Sequence, residues 1–214
     1  MIRLDDNEIF FPDPSRYDPE QGLIAIGGDL SPERLLLAYQ LGIFPWYNPG
    51  EEILWWCLDP RFVLFPTELK VSKSMKKVLR SNHFTITENK CFRQVMKECQ
   101  NIQRPGQDGT WIENELIDSF TILHEAGLAK SVEVWENDFL VGGLYGLAIG
   151  RVFCGESMFS KVSNASKAGF IHFVQTHKED YDLIDCQSHT NHLESLGARM
   201  IPKKEFLNYL KPKS

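Results

Sequence analysis

The sequence has no apolar run long enough to cross a membrane and no cysteine pattern typical of a disulfide framework. Its longest apolar stretch, residues 139–149, is short and rich in glycine. The five cysteines are odd in number and contain no C-x-x-C pair, which favours reduced thiols. No basic-then-apolar signal segment opens the chain. We therefore expect a cytoplasmic protein with no membrane partner.

Several common cofactor motifs are also missing. The sequence contains no G-x-x-x-x-G-K-[ST] loop, no G-x-G-x-x-G after a strand and no H-E-x-x-H pair. His189 and His192 are three residues apart, but no third metal ligand accompanies them. We expect neither a metal nor a cofactor.

Charge is distributed unevenly along the 214 residues. The net charge of −6 argues at first against a nucleic-acid partner. However, residues 1–60 hold 3 basic and 11 acidic side chains, whereas residues 61–214 hold 20 and 18. Within residues 70–80 there are five basic side chains and no acidic one. The global charge therefore does not exclude a patch that binds phosphates.

The first 60 residues differ in style from the rest. They are acidic and rich in Pro and Gly, and they contain one clear helix over residues 31–41. Ser31 suits its N-cap, Pro32 its first turn and Gly42 its end. We predict a small irregular N-terminal domain over residues 1–60 and a second domain over residues 61–214.

In the second region, helical and strand-like patterns alternate. The predicted strands are 61–65, 84–87, 131–135, 139–149, 152–155 and 183–186. The predicted helices are 72–81, 92–100, 113–126, 165–177, 191–196 and 203–210. Three consecutive central strands joined by short turns indicate an antiparallel meander, so we predict an α+β fold with a central, mostly antiparallel sheet.

Two segments carry candidate catalytic groups. Glu156 stands between Gly155 and the apolar residues that follow Ser157, which suits a partly desolvated acid beside an apolar pocket. Asp185 and Gln187 are two residues apart at the end of an apolar strand, so a regular strand places both on one face. The alternatives are an exposed Glu at a strand end and an Asp that caps the next turn.

Aromatic and basic residues point to a nucleic-acid ligand. Trp46 and Trp111 lie in turn-like contexts, where an indole can stack on a base, although a tryptophan is more often part of a core. The segment 72–81 places four basic side chains on one broad helical face, which is either a phosphate-binding or a simply solvated surface. These side chains are Lys73, Lys76, Lys77 and Arg80.

Together these segments resemble one family, the leucyl/phenylalanyl-tRNA–protein transferases. The resemblance runs from about residue 11 to 210, in the order of the family. It rests on residues 26–31, 39–46, 54–56, 110–112, 131–135, 141–146, 155–160, 184–187 and 195–198.

The resemblance implies a small N-terminal domain and a C-terminal domain similar to the GCN5-related acetyltransferases. It also implies an activity. Such an enzyme moves Leu or Phe, and Met less well, from aminoacyl-tRNA to the N-terminal Arg or Lys of a protein. The product is marked for degradation by the bacterial N-end rule. A monomer is expected.

The resemblance further assigns roles to individual positions. Asp185 and Gln187 match the catalytic pair of the family, and Glu156 matches its site carboxylate. Trp46 and Trp111, with Tyr39 nearby, look like the residues that hold the terminal adenosine. The aminoacyl pocket is expected to be lined by Leu144, Met158, Phe170, Phe173 and Ile184. The contact to the tRNA acceptor stem is expected from Lys73, Lys76, Lys77 and Arg80.

The sequence leaves the mechanism open between two schemes. The attacking amine must be neutral. Asp185 could orient it and accept its proton, with Gln187 bonded to both. Alternatively, Asp185 or Glu156 could bind the cationic side chain of the acceptor, while the proton passes through the ribose hydroxyl or water.

Two other functions are compatible with parts of the sequence. An acyl-CoA-dependent N-acyltransferase needs a pyrophosphate loop of the form [RQ]-x-x-G-x-[GA]. Residues 103–108 fit it except for Asp108, and residues 143–148 fit it except for Gly143. A non-catalytic RNA-binding module would use the basic helix and the aromatic residues but would have no use for Asp185 and Gln187.

Overall fold

The computed structural model describes residues 2–16, 22–102 and 110–211, which form two β-sheets with helices around them. The first sheet consists of β1 (Ile2–Leu4), β2 (Leu23–Gly27), β3 (Phe44–Pro45) and β4 (Leu54–Trp56). Its spatial order is β1-β2-β4-β3, and only β1 and β2 are parallel.

The second sheet has seven strands and forms the centre of the molecule. Its strands are β5 (Arg61–Leu64), β6 (Thr85–Glu88), β7 (Ala129–Glu136), β8 (Phe139–Ile149), β9 (Val152–Ser160), β10 (Leu183–Gln187) and β11 (Arg199–Ile201). The spatial order is β11-β5-β10-β9-β8-β7-β6. All neighbours are antiparallel except β9 and β10, which are parallel.

Helices pack on both faces of this sheet. They are α1 (Pro32–Gln40), α2 (Lys73–Arg80), α3 (Phe92–Asn101), α4 (Asn114–Glu125), α5 (Ala165–Thr176), α6 (Asn191–Glu194) and α7 (Lys203–Tyr209). Short 3-10 turns occur at Pro14–Arg16 and Pro66–Glu68. Over the described ranges, none of these helices is both long and apolar enough to cross a bilayer.

Local sequence explains where several elements begin and end. The Ser31 hydroxyl accepts a hydrogen bond from the backbone N–H of Arg34 and caps α1. The Ser72 hydroxyl caps α2 in the same way. Asn137 and Asp138 both have positive φ, as the tight turn between β7 and β8 requires.

Successive side chains of the central strands pack into two hydrophobic cores, one on each face of the sheet. Tyr145 of β8 and Leu183 of β10 pack with α1, α3 and α4 on one face. Leu144 and Ile184, their neighbours in sequence, pack with α2 and α5 on the other face. Because a strand points successive side chains to opposite faces, one apolar strand can serve both cores.

The predicted α+β class, the central mostly antiparallel sheet and every predicted helix are confirmed, within one or two residues at most ends. One strand prediction was wrong. β9 does not end at Gly155 but continues to Ser160, so Glu156 lies inside a strand and not after one. The division into domains 1–60 and 61–214 stays a prediction.

The four-stranded first sheet and β11 were missed by the sequence analysis. Their strands are only two to five residues long. Such short segments contain too few residues to show alternation between two faces.

The close approach of β8 and β9 generates a stability prediction. A Cβ atom on Gly146 would lie 2.2 Å from the carbonyl oxygen of Cys154 and 2.6 Å from the Phe153 ring. We expect Gly146→Ala to lower the free energy of unfolding by about 1–3 kcal/mol, measured by urea or thermal denaturation. Gly155→Ala is the matched control, because its Cβ would be 3.5 Å from its nearest neighbour, the Asp185 carbonyl. Equal losses in the two variants would contradict this packing.

Candidate active site

The site forms where the two parallel strands of the large sheet separate. β9 and β10 pair from Leu183 with Val152 to Asp185 with Cys154, and the pairing ends there. Beyond this point each strand carries an irregularity against its other neighbour. On β9, Glu156 is skipped in the pairing with β8, and on β10, Cys186 is skipped in the pairing with β5. Such bulges turn side chains out of the regular alternation.

Asp185 is fully buried at this separation and is held by Arg61 of β5. The Arg61 Nε atom donates to Asp185 Oδ1 at 2.8 Å, and Nη2 donates to Oδ2 at 2.6 Å. Burial opposes the charge on Arg61, but the charge and hydrogen bonds of Asp185 outweigh it and raise the pKa of the guanidinium. The negative charge of Asp185 is therefore already neutralised within the protein.

Gln187 and Glu156 bridge the gap between the separated strands. The Gln187 side-chain Nε2 donates to Glu156 Oε1 at 2.6 Å. The backbone N–H of Gln187 donates to Asp185 Oδ1 at 2.9 Å, and its φ of +60° is in the left-handed region. The regular alternation expected for this strand thus ends at Asp185, and the two side chains point to different partners.

Glu156 is the carboxyl of the site that lacks a cationic partner among the described residues. Burial raises its pKa to about 7, and the charge of Asp185 adds to this rise. Interactions with the Tyr39 hydroxyl and the Gln187 amide, and the charge of Arg61, partly offset the rise. A carboxyl with such a pKa can both hold and release a proton near neutral pH.

A cavity of about 540 Å³ opens beside Glu156 and Gln187. The apolar end of its lining is identified by Leu144, Met158, Phe170 and Ile184, which belong to or pack against the core that contains residues of α2 and α5. Trp46 and Trp111 also line the cavity. Trp46 is 45% exposed, and its backbone carbonyl accepts from the indole of Trp56 at 2.7 Å, which fixes the segment that carries it. The cavity thus combines an apolar recess, flat rings and a titratable carboxyl.

Most predicted site residues meet at this cavity, but two lie behind it. The Phe173 ring is fully buried and packs on Phe153 with a centroid distance of 4.3 Å, so it supports the apolar end without lining it. Tyr39 is only 1% exposed and lies beneath Glu156. Its ring cannot offer an open face to a base.

The basic side chains of α2 form a separate surface. Lys73, Lys76, Lys77 and Arg80 are exposed and together line a shallow concavity. None of the four forms an ion pair with any residue of the described ranges. Met75, on the opposite side of the helix, is buried, and α2 packs against α5, which carries Phe170. The surface is therefore joined to the cavity through α5.

Two residues of the site were missed by the sequence analysis. Arg61 is 124 positions from Asp185, and no local pattern links them. His192 lines the cavity, and burial together with the charge of Lys167 lowers its pKa. The sequence analysis considered this histidine as a metal ligand or as a polar surface or capping residue, and not as part of the site. No group of three or more potential metal ligands occurs in the ranges that the structure describes.

Neither candidate pyrophosphate loop gains support. Residues 143–148 lie within the continuous strand β8, so they form no loop. Residues 103–108 lie outside the described residues.

The cavity brings an apolar lining, two tryptophan rings and a hydrogen-bonded carboxyl–amide pair together. Sequence comparison identifies the class of protein that carries this site. Residues 63–211 match the family described as leucyl/phenylalanyl-tRNA protein transferase, and residues 28–59 match its N-terminal domain. The chain therefore belongs to the leucyl/phenylalanyl-tRNA–protein transferase family, and it is an enzyme.

Individual relatives agree with this assignment. A leucyl/phenylalanyl-tRNA–protein transferase of Flavobacterium johnsoniae is 58% identical over 96% of this chain and 97% of its own length. One of Nitrosospira multiformis is 53% identical over 97% of this chain and 90% of its own.

Similarity to solved structures is more distant. A conserved protein of unknown function from Bacteroides thetaiotaomicron gives a TM-score of 0.47 at 14% identity, over 73% of this chain and 56% of that one. A GCN5-related N-acetyltransferase from Kribbella flavida gives 0.39 at 10% identity, over 77% and 58%. The family assignment rests on the sequence matches.

The raised pKa of Glu156 predicts a pH-dependent stability. Between its ordinary value of 4.5 and about 7, the folded protein retains a proton that the unfolded chain has released. The stabilising contribution is therefore lost as the pH rises through about 7. We expect Glu156→Gln, which cannot ionise, to be more stable than the wild type at pH 8.5 by about 1–2 kcal/mol. The difference should shrink toward zero as the pH falls to 4.5.

Urea denaturation at both pH values measures this difference. Glu125→Gln is the control, because Glu125 is exposed on α4 and makes no ion pair within the described residues. A constant stability difference between Glu156→Gln and wild type across this pH range would contradict the buried ionisation.

Proposed function

We propose that this enzyme transfers Leu or Phe, and Met less efficiently, from aminoacyl-tRNA to the α-amine of a protein that begins with Arg or Lys. The cavity at the separation of β9 and β10 is the observation that carries the proposal. It joins an apolar recess, an aromatic wall and the Glu156 carboxyl within one space of about 540 Å³.

The donor would occupy the two differing ends of the cavity. The terminal adenosine stacks on Trp46 and Trp111, since flat rings bind a base by stacking. The aminoacyl side chain enters the apolar end, where unbranched Met158 can adapt to different shapes. An apolar recess selects mainly by volume, at about 1–3 kcal/mol per methylene, so Ala and Gly are poor donors.

The acceptor amine would meet the donor ester beside Glu156 and Gln187. The amine nitrogen forms a bond to the ester carbonyl carbon, and the bond from that carbon to the ribose oxygen breaks. In one scheme Glu156 accepts the proton of the amine and passes it to the ribose oxygen, which leaves as a hydroxyl. In the other, Glu156 binds the cationic group of the acceptor, and the amine proton reaches the ribose oxygen through the neighbouring ribose hydroxyl or water. Of the two carboxyls proposed from the sequence, Glu156 suits this role because Asp185 is already paired with Arg61. Asp185 and Gln187 form the support of the site.

The burial of the cavity thiol argues against a covalent route through cysteine. Cys186 lines the cavity, and burial raises the pKa of its thiol above the ordinary value. A protonated thiol is a weak nucleophile. Direct attack of the acceptor amine on the ester is therefore the simpler reaction.

The wider role follows from the proposed product. We expect a protein that gains an N-terminal Leu or Phe to be marked for N-end rule degradation, and we expect the enzyme to act in the cytoplasm. Because the donor ester is already activated, the reaction needs no ATP or CoA. We expect the enzyme to act as a monomer.

The direct test is transfer from radiolabelled leucyl-tRNA to α-casein or an Arg-initiated peptide, without ATP or CoA. We expect label in acid-precipitable protein with the free acceptor, and none when its N-terminus is acetylated. Binding of tRNA without transfer would instead support an RNA-binding module. Transfer only after addition of an acyl-CoA would support the other alternative.

The α2 surface predicts a dependence on the length of the donor. We expect Lys76→Glu combined with Lys77→Glu to raise the KM for leucyl-tRNA by about tenfold or more at 0.1 M salt, because both cations lose phosphate contacts. Transfer from leucyl-adenosine, which lacks the acceptor stem, should be unchanged. Initial transfer rates over a range of donor concentrations measure the effect for leucyl-tRNA and for leucyl-adenosine.

Lys178→Glu is the matched control, because Lys178 is an exposed lysine whose only ion pair, within the described residues, is with Glu179 at 3.8 Å. It should leave both donors unaffected. An equal loss with both donors in the α2 variant would show that α2 does not bind the acceptor stem.

A further inference from the structure

We propose that Arg61 is a positioning residue of this enzyme, which acts on the reaction through Asp185 and Gln187. Its guanidinium fixes the Asp185 carboxylate, the carboxylate fixes the backbone of Gln187, and the Gln187 amide fixes Glu156. The proposal rests on the function proposed above, in which Glu156 meets the reacting amine.

The first link is a two-pronged contact with defined direction. The Nε and Nη2 atoms of Arg61 reach the two oxygens of Asp185 at 2.8 and 2.6 Å. The planar guanidinium matches a carboxylate in this geometry, whereas the ammonium of lysine is a point charge. Asp185 therefore has one orientation, which leaves Oδ1 available to the backbone of Gln187.

The second link holds a backbone that the sequence does not favour. Gln187 has a φ of +60°, which is uncommon for a residue with a side chain. Its N–H donates to Asp185 Oδ1 at 2.9 Å. Left-handed residues outside glycine persist where the surroundings determine them, and Asp185 supplies that constraint here. The turn directs the Gln187 amide across the gap to Glu156, 2.6 Å away.

The guanidinium is itself held by elements from both ends of the chain. Its central carbon lies 4.7 Å from the Phe44 ring centroid and 4.6 Å from the Phe206 ring centroid. Phe44 belongs to β3 of the first sheet, and Phe206 belongs to the last helix, α7. These two cation–π contacts restrict the position of the guanidinium. The orientation of the Gln187 amide thus depends on Arg61 and Phe206, which do not line the cavity, and on Phe44, which does.

The chain offers a matched control in Arg34. Arg34 is also fully buried, and it pairs with Asp29 at 3.1 Å and with the carbonyl of Asp5 at 2.7 Å. None of these residues lines the cavity. Replacement of either arginine by lysine keeps the charge and removes the planar group, but only Arg61→Lys changes the support of Gln187.

The experiment compares Arg61→Lys, Arg34→Lys and wild type in the leucyl-tRNA assay, with each variant checked by thermal denaturation. We expect Arg61→Lys to lower kcat by about 10–100-fold, as loss of an orienting group does. The KM for leucyl-tRNA should change less than twofold, because Trp46, Trp111 and α2 are untouched. Arg34→Lys should leave kcat within twofold.

A second measurement tests the series of contacts from Arg61 to Glu156 in the absence of substrate. NMR of the enzyme labelled with 13C in the glutamate carboxyls follows the titration of Glu156, with Glu156→Gln to assign the signal. The Gln187 amide lowers the pKa of Glu156, so its displacement in Arg61→Lys should move the midpoint upward. Arg34→Lys should leave the midpoint in place.

An unchanged kcat and an unchanged Glu156 midpoint in folded Arg61→Lys would overturn the proposal. If that variant does not fold, Phe206→Leu tests the same point, because it removes one ring face and keeps the arginine. It should show a smaller change in the same direction, and no change would overturn the proposal. Absence of transfer by the wild type would refute the proposed function, whereas the NMR comparison would still decide the role of Arg61.

Discussion

Asp185 carries a negative charge with no exposed surface, at the point where β9 and β10 stop pairing. A carboxylate in this position would be highly unfavourable without a cation, and Arg61 supplies one through two hydrogen bonds. A buried ion pair is, however, weak evidence for stability, because an apolar pair of similar volume is often as stable or more so. An apolar pair could not, however, orient the neighbouring polar groups. The arginine fork and the carboxylate together determine where the Gln187 amide points.

The separation of β9 and β10 opens the space that the Gln187 amide and the Glu156 carboxyl border. Parallel strands that remained paired would leave no space for a substrate, whereas the gap beyond Cys154 and Asp185 opens into the cavity. Glu156 and Gln187 each lie two residues beyond the last pair, one on each strand, and their hydrogen bond closes the base of the gap. The carboxyl is thus kept away from bulk water but next to the substrate space. The same burial that raises its pKa is what allows it to exchange a proton near neutral pH.

The sequence predicted those parts of the site that depend on local pattern. The basic face of α2 is visible at helical spacing, and so is the apolar strand that ends at Asp185. Leu144, Met158 and Ile184, in contrast, were assigned to the pocket by the family resemblance. Other parts depend on contacts between distant segments. Arg61 begins a strand that reads simply as apolar, and only the pairing of β5 with β10 brings it to Asp185. The prediction that Asp185 and Gln187 share one face of the strand also fails at the bulge of β10. The positive φ of Gln187 that causes this cannot be predicted from a strand-like sequence. Phe173 and Tyr39 are aromatic residues close to the site, as the prediction required, but both are buried behind the residues that line the cavity.

The N-terminal region takes part in the site although its strands form a sheet of their own. The strands divide between the two sheets after Trp56 and before Arg61. Yet Trp46 lines the cavity, Phe44 contacts the Arg61 guanidinium, and Tyr39 lies beneath Glu156. The N-terminal region therefore contributes to the cavity wall, to the contacts that hold Arg61, and to the surroundings of the Glu156 carboxyl. A displacement of the N-terminal sheet would alter all three together, so the two parts of the chain are one functional unit whatever boundary separates their folds.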